Sequence, residues 1–183
     1  MVELDQTEDV LMAIHFEPFT LTESLAKQMV IWYNDPEIAP FMHPNFVEGN
    51  PHPMTLANIF QQREPHVEIT KYLILDDDFP IGEFSITRDF HFLMGQREGS
   101  AWISIDIGEK AYWGRGISKV AMAFIEEECR RLGFKRIELG VFENNQKARN
   151  LYEKMGYVQF ARNKRFTYSQ GAWRDDLRMQ KYL

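Results

Sequence analysis

AYWGRGISKVAMAFIEEECRRLGF, residues 111–134, sets two glycines around an arginine directly ahead of an amphipathic run. Ile117, Val120, Ala121, Phe124, Ile125, Cys129 and Leu132 recur at helical spacing, while Glu126, Glu127, Arg130 and Arg131 fall largely elsewhere. The stretch therefore predicts a glycine turn feeding a long helix with one buried face, on which Cys129 is a packing thiol. The first turn of such a helix offers unsatisfied N–H groups and the positive end of its dipole. Glycines ahead of it let the chain close around an anion, and Arg115 and Lys119 add charge. The loop thus suits a phosphate or diphosphate. A Walker loop would need a longer glycine spacing ending in Gly-Lys-Ser/Thr, and a dinucleotide fingerprint a third glycine where Lys119 stands. The competing reading is a helix-leading turn that uses glycine only for close packing.

Upstream of the loop the pattern is that of a sheet. KYLILDD (71–77), PIGEFSITRDF (80–90) and SAWISIDIG (100–108) alternate as strands, with DDDF (76–79) and FLMGQREGS (92–100) as hairpin connections. Before them, residues 1–9 carry no pattern, VLMAIHFEPFT (10–20) is strand-like, and residues 21–42 read as one helix. Thr22 is its N-cap, and Leu25, Met29 and Trp32 share one face. HPNFVEGNPHP (43–53) is a loop long enough to face a substrate, and a second helix is expected over 54–63. Downstream, FKRIELGVF (134–142) is a fifth strand, residues 145–156 a short helix, and the last two strands meet at Ser169–Gln170–Gly171. The order is mixed α/β in a single domain over 1–183, without internal repeats.

The chain has 21 basic and 27 acidic residues, a net charge of −6, which argues against a nucleic-acid binder and is compatible with a cationic substrate. One cysteine rules out an internal disulfide, and no apolar run is long enough for a membrane span. A soluble, cytoplasmic protein is the expectation. The five histidines, at 15, 43, 52, 66 and 91, match no metal-ligand spacing, so no metal is expected. The acidic triplets Asp76–Asp78 and Glu126–Glu128 read as solvated surface.

ENNQKARNLYEKMGY (143–157) adds an asparagine cap, an amphipathic helix with Ala148, Leu151, Tyr152 and Met155 on one face, and Gly156 as its stop. Trp113-Gly-Arg-Gly-Ile-Ser118 opening a long helix, followed by Asn145-x-x-Ala148-x-x-Leu151-Tyr152-x-x-x-Gly156-Tyr157, resembles the GCN5-related N-acetyltransferases (the GNAT family). Trp32-Tyr-Asn-Asp-Pro, Pro80-Ile-Gly-Glu and Trp173-Arg-Asp-Asp look like the branch containing ribosomal-protein and polyamine N-acetyltransferases. The resemblance implies an α/β fold of the GNAT type. Its mixed, mostly antiparallel sheet would have about seven strands, splayed between the fourth and fifth, with about four flanking helices. Acetyl-CoA would be wedged in the opening, its diphosphate on backbone amides of Trp113, Gly114, Arg115, Gly116, Ile117 and Ser118, with Lys119 beside them. The pantetheine arm would pair along Ile105–Ile107, and Asn145 would also contact the cofactor. Tyr152 maps to the general acid. The sequence departs from the family at Trp113, usually Gln or Arg, and at Ser118, usually Gly or Ala. A homodimer is also open, since dimers are frequent among similar proteins.

Acetyl transfer to an amine requires a neutral amine, a stabilised oxyanion and a proton for the departing thiolate. Glu83, Asp106 and Glu143 are the candidate bases, with Glu83 first. Strand alternation sets Asp106 on the face of Trp102 and Ser104, opposite Ile103, Ile105 and Ile107, unless a bulge reverses it. A polyamine or other small amine, a protein N-terminus and an amino sugar all stand as acceptors. A catalytically silent acetyl-CoA-binding module and a nucleotide-binding protein are the alternatives from other classes.

Overall fold

The computed structural model describes residues 13–61, 68–95 and 97–183. Seven strands form one sheet in the order β1-β2-β3-β4-β5-β7-β6. They are β1 (Ile14–Pro18), β2 (Ile69–Asp76), β3 (Phe79–Arg88), β4 (Ser100–Ile107), β5 (Arg136–Phe142), β6 (Val158–Ser169) and β7 (Ala172–Tyr182). Five helices accompany them: α1 (Glu23–Asn34), α2 (Ala39–Met42), α3 (Leu56–Gln61), α4 (Ile117–Arg131) and α5 (Gln146–Lys154). Every neighbouring pair is antiparallel except β4–β5. None of the helices among the described residues is long and apolar enough to cross a membrane.

The expected seven strands are present, and two connections follow turn chemistry closely. Asp77 (φ 48°) lies in the two-residue turn between β2 and β3, and Gln170 (φ 51°) and Gly171 (φ 77°) join β6 to β7. The first helix is shorter than expected. Thr22 caps it as predicted, its hydroxyl accepting from the Leu25 N–H at 3.2 Å, but the helix ends at Asn34. Asp35 precedes Pro36, and the proline ring drives it out of the helical region to ψ 127°; helix resumes only at Ala39. The N-terminal part of the strand expected over 10–20, the end of the helix expected over 54–63, His66 and Gln96 lie outside the described residues.

The sheet separates two cores of different character. On one face Ile103, Ile137, Leu139 and Leu177 pack beneath Ile117, Ala121, Met122, Ile125 and Cys129 of α4 and Tyr152 of α5. On the other, Leu25, Ala26, Met29, Trp32 and Tyr33 of α1 join Ile59 of α3 over Leu73 and Leu75 of β2. Cys129 is fully buried in the first of these cores, its thiol pushed up to about 12 by burial and then by Glu128 and Glu126. The Glu126–Glu128 triplet is not solvated as a unit. Glu126 is buried against the Lys181 ammonium (2.7 Å), and Glu128 is buried against Arg131 (2.6 Å) and the Tyr72 hydroxyl (2.7 Å). Only Glu127 faces water, because α4 presents the other two to the sheet.

β4 and β5 pair only at Ser100–Arg136, Ala101–Ile137 and Trp102–Glu138. Beyond that point residues 103–107 and 139–142 part, which is the predicted splay. A sealed ion cluster lies at its foot. Arg136 Nη2 meets Glu138 Oε2 at 2.6 Å, Arg178 Nε meets Asp176 Oδ2 at 2.6 Å, and Arg178 Nη1 stands 3.6 Å from Glu138 Oε1. Met94 and Gly95 N–H also donate to the two Glu138 oxygens, at 2.9 and 3.1 Å, so one carboxylate gathers β5, β7 and the 92–95 loop. Removing one member of such a cluster leaves buried charge uncompensated, which costs about 3–5 kcal/mol. Glu138→Ala should therefore lower unfolding stability by about that amount, read as a lower urea midpoint at unchanged slope.

Candidate active site

The glycine turn enters α4 as the sequence implies. Gly116 (φ 83°) is the N-cap and Gly114 (φ 78°) precedes it, both in the left-handed region. A Cβ on either would touch nothing within 4 Å, so backbone conformation and not crowding calls for glycine. The Lys119 and Val120 N–H groups both reach Gly116 O, at 2.9 and 3.2 Å, while Trp113 N–H donates to Lys110 O at 3.0 Å. The amides between them, from Gly114 to Ser118, precede the helical ladder at its positive end. Trp113 fills another role: its indole Nε1 donates to Ile107 O at 2.9 Å and pins the turn to the end of β4. Lys147 of α5 lies over the same ring at 5.3 Å. Arg115 stacks over Tyr112 at 5.3 Å, and Tyr112 donates to Asp76 at 2.7 Å.

The parted strands frame the space beside this turn. Ile105 and Ile107 lie on the α4 side of β4, half-buried, and Asp106 on the opposite face with Trp102 and Ser104; no bulge reverses the alternation. At the end of β5, Asn145 N–H donates to Phe142 O at 2.8 Å, and its Oδ1 caps α5 by accepting from Ala148 N–H at 3.2 Å. The cap fixes α5 so that Tyr152, two turns on, is nearly buried. Its hydroxyl makes no protein hydrogen bond among the described residues and is not a sealed-off atom, so it opens to the gap. Burial, then the Asp106 charge, push the Tyr152 phenol above its ordinary pKa, so it carries its proton at neutrality.

Glu83 and Asp106 are direct cross-strand partners between β3 and β4. Gly82 makes that approach possible, since a Cβ there would stand 2.2 Å from Asp106 O. Glu83 is 6% exposed, and its Oε1 accepts from the Tyr33 hydroxyl at 2.7 Å and meets Lys71 Nζ at 2.8 Å. Its other oxygen, Oε2, is buried with no partner. Asp106 carries the counterpart effect. Burial and then Glu83 push its carboxyl up to about 7, against the pull of Lys71. Tyr33 is held protonated by burial and by both carboxylates, and His43, edge-on to the Tyr33 ring at 5.5 Å, is drawn down mainly by burial. Two cross-strand carboxylates, one of them poised near neutrality, thus lie together, and the charge of Asp106 reaches a protonated phenol from the other face.

The structure brings Glu83, Asp106 and Tyr152 together and leaves Glu143 out. Its Oε1 accepts from Asp175 N–H at 3.2 Å, a link between β5 and β7. No sequence motif ties Tyr33, His43 or Lys71 to the carboxylates. Lys71 and Leu73 alternate onto the Glu83 face of β2, a periodicity that would have indicated the lysine. Helix α1 is itself locked to the end of β4. Trp32 Nε1 donates to Glu109 Oε1 at 2.8 Å, Gln28 Nε2 donates to the same oxygen at 3.0 Å, and a Cβ on Gly108 would stand 2.1 Å from the Trp32 ring.

Residues 26–157 match the model of the acetyltransferase (GNAT) family. The chain is 42% identical over 88 residues to YdgE, an uncharacterized N-acetyltransferase of Bacillus subtilis (strain 168), covering 41% of this chain and 54% of that protein. It is 41% identical over 48 residues to YycN of the same organism, covering 26% and 31%. The chain therefore matches about half or less of the length of these curated relatives. Spermidine N-acetyltransferase from Vibrio cholerae, solved with CoA and spermine, superposes with a TM-score of 0.71 at 17% identity, covering 93% of this chain and 96% of that one. A ribosomal-protein-alanine N-acetyltransferase from Brucella melitensis gives 0.68 at 19%, covering 92% and 99%. At these identities the likeness is one of fold.

The raised Asp106 carboxyl has a consequence for stability. Between its unfolded value near 3.8 and about 7 the native state holds a proton that the unfolded chain has lost, so stability falls as pH rises through this window. Asp106→Asn should remove that dependence. Denaturation series from pH 4 to 8 should show the variant gaining on the parent progressively up to about pH 7 and levelling above it.

Proposed function

The chain belongs to the GNAT acetyltransferase family, and on that footing we propose that it transfers the acetyl group of acetyl-CoA directly to a primary amine. One observation carries the reading: a protonated phenol on Tyr152 and the Glu83–Asp106 pair, from opposite faces of the sheet, share the gap between β4 and β5. The residues present fit the cosubstrate. The amides from Gly114 to Ser118, with Arg115 and Lys119, offer a diphosphate site at the positive end of α4. The edge of β4 left open at Ile105 and Ile107 offers backbone groups to the pantetheine arm, and the Nδ2 of Asn145 complements them. Bound there, acetyl-CoA supplies the activated acyl group and a thiolate leaving group.

The protein's own groups then divide the proton traffic. Glu83 is fixed by Tyr33 and Lys71, and its carboxylate draws a cationic amine toward Asp106 beside it. Asp106, poised near neutrality, takes the proton that makes the amine nucleophilic. Tyr152 gives its proton to the departing sulfur. No covalent acyl-enzyme is required: Cys129, the lone thiol, is fully buried and its pKa raised to about 12. An Asp106 carboxyl tuned near neutrality favours turnover over silent cofactor binding. The acceptor is a primary amine of the polyamine or protein-N-terminus kind.

Release of CoA thiol across a panel of polyamines, peptides and aminoglycosides tests the activity. Tyr152→Phe should lower kcat by roughly 10²-fold while leaving acetyl-CoA affinity, read by calorimetry, unchanged. Equal turnover in the variant would remove Tyr152 from the chemistry. In the parent, kcat/KM should climb with pH through about 7 as Asp106 ionises, and Asp106→Asn should erase that limb.

A further inference from the structure

A groove of about 660 Å³ lies on the Glu83–Asp106 face of the sheet, between the 91–94 loop and the outer strand β6. Its lining includes Phe46, Phe92, Arg162, Lys164, Arg165 and Phe166. In a chain of net charge −6, three cations within four residues are a local reversal. Arg162 is paired with Asp175 at 3.1 Å. Lys164 has no ion pair among the described residues, and Arg165, whose guanidinium stacks over Trp173 at 5.3 Å, has none either. Both sit where the β6–β7 ladder is interrupted between Asn163 and Thr167, so the strand bulges there and frees them from pairing. Beneath them Arg178 is already neutralised by Asp176 and Glu138.

Position relates this groove to the reacting end. Four residues beyond the Trp102–Glu138 pair, Asp106 stands level with Phe142, which pairs with Asp176, which pairs with Asn163. Two strand spacings and the wider β4–β5 gap therefore separate Asp106 from the bulge, at least about 15 Å. The loop after α2 spans the same interval. His43 lies against Tyr33 at its near end, while at its far end Asn45 N–H donates to Thr167 Oγ1 (2.8 Å), Tyr168 N–H donates to Asn45 O (2.7 Å) and Phe46 packs edge-on to Phe166 (5.4 Å). From residue 43 to 46 an extended chain covers at most about 11 Å. One end of the roofed face holds the Glu83–Asp106 pair, and the other is an aromatic-walled groove in which Lys164 and Arg165 make no ion pair among the described residues.

We infer that the groove at Phe46, Phe92, Lys164 and Arg165 is a second acceptor subsite, which binds a carboxylate carried by the acceptor some 15 Å from the amine that is acetylated. That separation matches about three to five residues of extended peptide, so the acceptor class is a peptide N-terminus with an acidic side chain a few residues downstream, and not a polycation. This deepens the acetyltransferase reading and rests on it. The aromatic walls of Phe46 and Phe92 cover the intervening apolar part, and charge-assisted hydrogen bonds from Lys164 and Arg165 select the anion.

The experiment uses the full chain and a series of five-residue peptides, each with a free N-terminus, an amidated C-terminus and a single Glu or Gln at position three, four or five, with spermidine alongside. CoA release and mass spectrometry of the N-terminus give kcat and KM. The peptide with Glu at position four or five should exceed its Gln twin roughly tenfold in kcat/KM, almost all through KM. A Lys164→Gln/Arg165→Gln double variant should abolish that preference and leave turnover of the Gln peptide unchanged. A preference that survives in the double variant, equal use of the Glu and Gln peptides, or a preference for spermidine would overturn the inference. Calorimetric binding of the Glu peptide to parent and double variant reads the subsite without turnover. Peptide binding that depends on both cations, with no CoA released from any amine, would therefore sink the acetyltransferase reading and keep the subsite; turnover without that dependence would do the reverse.

Discussion

β4 and β5 hold hands for only three residue pairs, and the rest of the molecule follows from their parting. A sheet is ordinarily opaque: side chains on one face do not meet those on the other. Here Tyr152 comes from the helix layer above one face, and Glu83 and Asp106 from the opposite face, yet Asp106 is felt electrostatically by the phenol. The two faces meet electrostatically where the strands part. The parting also exposes the edge of β4 and directs the first turn of α4 beside it. Just where the pairing stops, the ion cluster of Arg136, Glu138, Asp176 and Arg178 binds β5 to β7 and to the 92–95 loop.

The acceptor face is built on unequal treatment of two like charges. Glu83 and Asp106 are neighbours across antiparallel strands, where a pair of ionised carboxylates would repel. Lys71 and Tyr33 attach to Glu83 alone, while burial first and the neighbouring Glu83 second raise the Asp106 pKa to about 7, against the pull of Lys71.

Much of this was legible in the chain. Helical spacing from Ile117 to Leu132 and period-two alternation in β3 and β4 placed α4 and the Asp106 face correctly, since both patterns are imposed by a single buried side. Pro36 was also visible, yet its helix-ending effect on Asp35 was passed over in favour of the apolar stripe running toward it. The Glu126–Glu128 triplet was misread because composition alone does not tell which glutamates turn toward the sheet; Lys181 and Tyr72, their partners, lie more than fifty positions away. Fifty positions separate Tyr33 from Glu83, whereas Lys71 lies on the adjacent hairpin strand, where period-two alternation marks it. Trp113 stood out as an odd residue in the glycine turn, but nothing local foretold that its indole would reach back to Ile107.

The lock between α1 and β4 sets a limit on how this scaffold can be rearranged. Trp32 rests on Gly108 so closely that no side chain fits beneath it, and Glu109 receives hydrogen bonds from both Gln28 and Trp32. The next residue, Tyr33, donates its hydroxyl hydrogen bond to Glu83. A chimera that exchanged the N-terminal helices to import another protein's substrate preference would carry away half of this joint. The natural seam for grafting therefore does not run through the loop between helix and sheet; it must include the tip of the fourth strand.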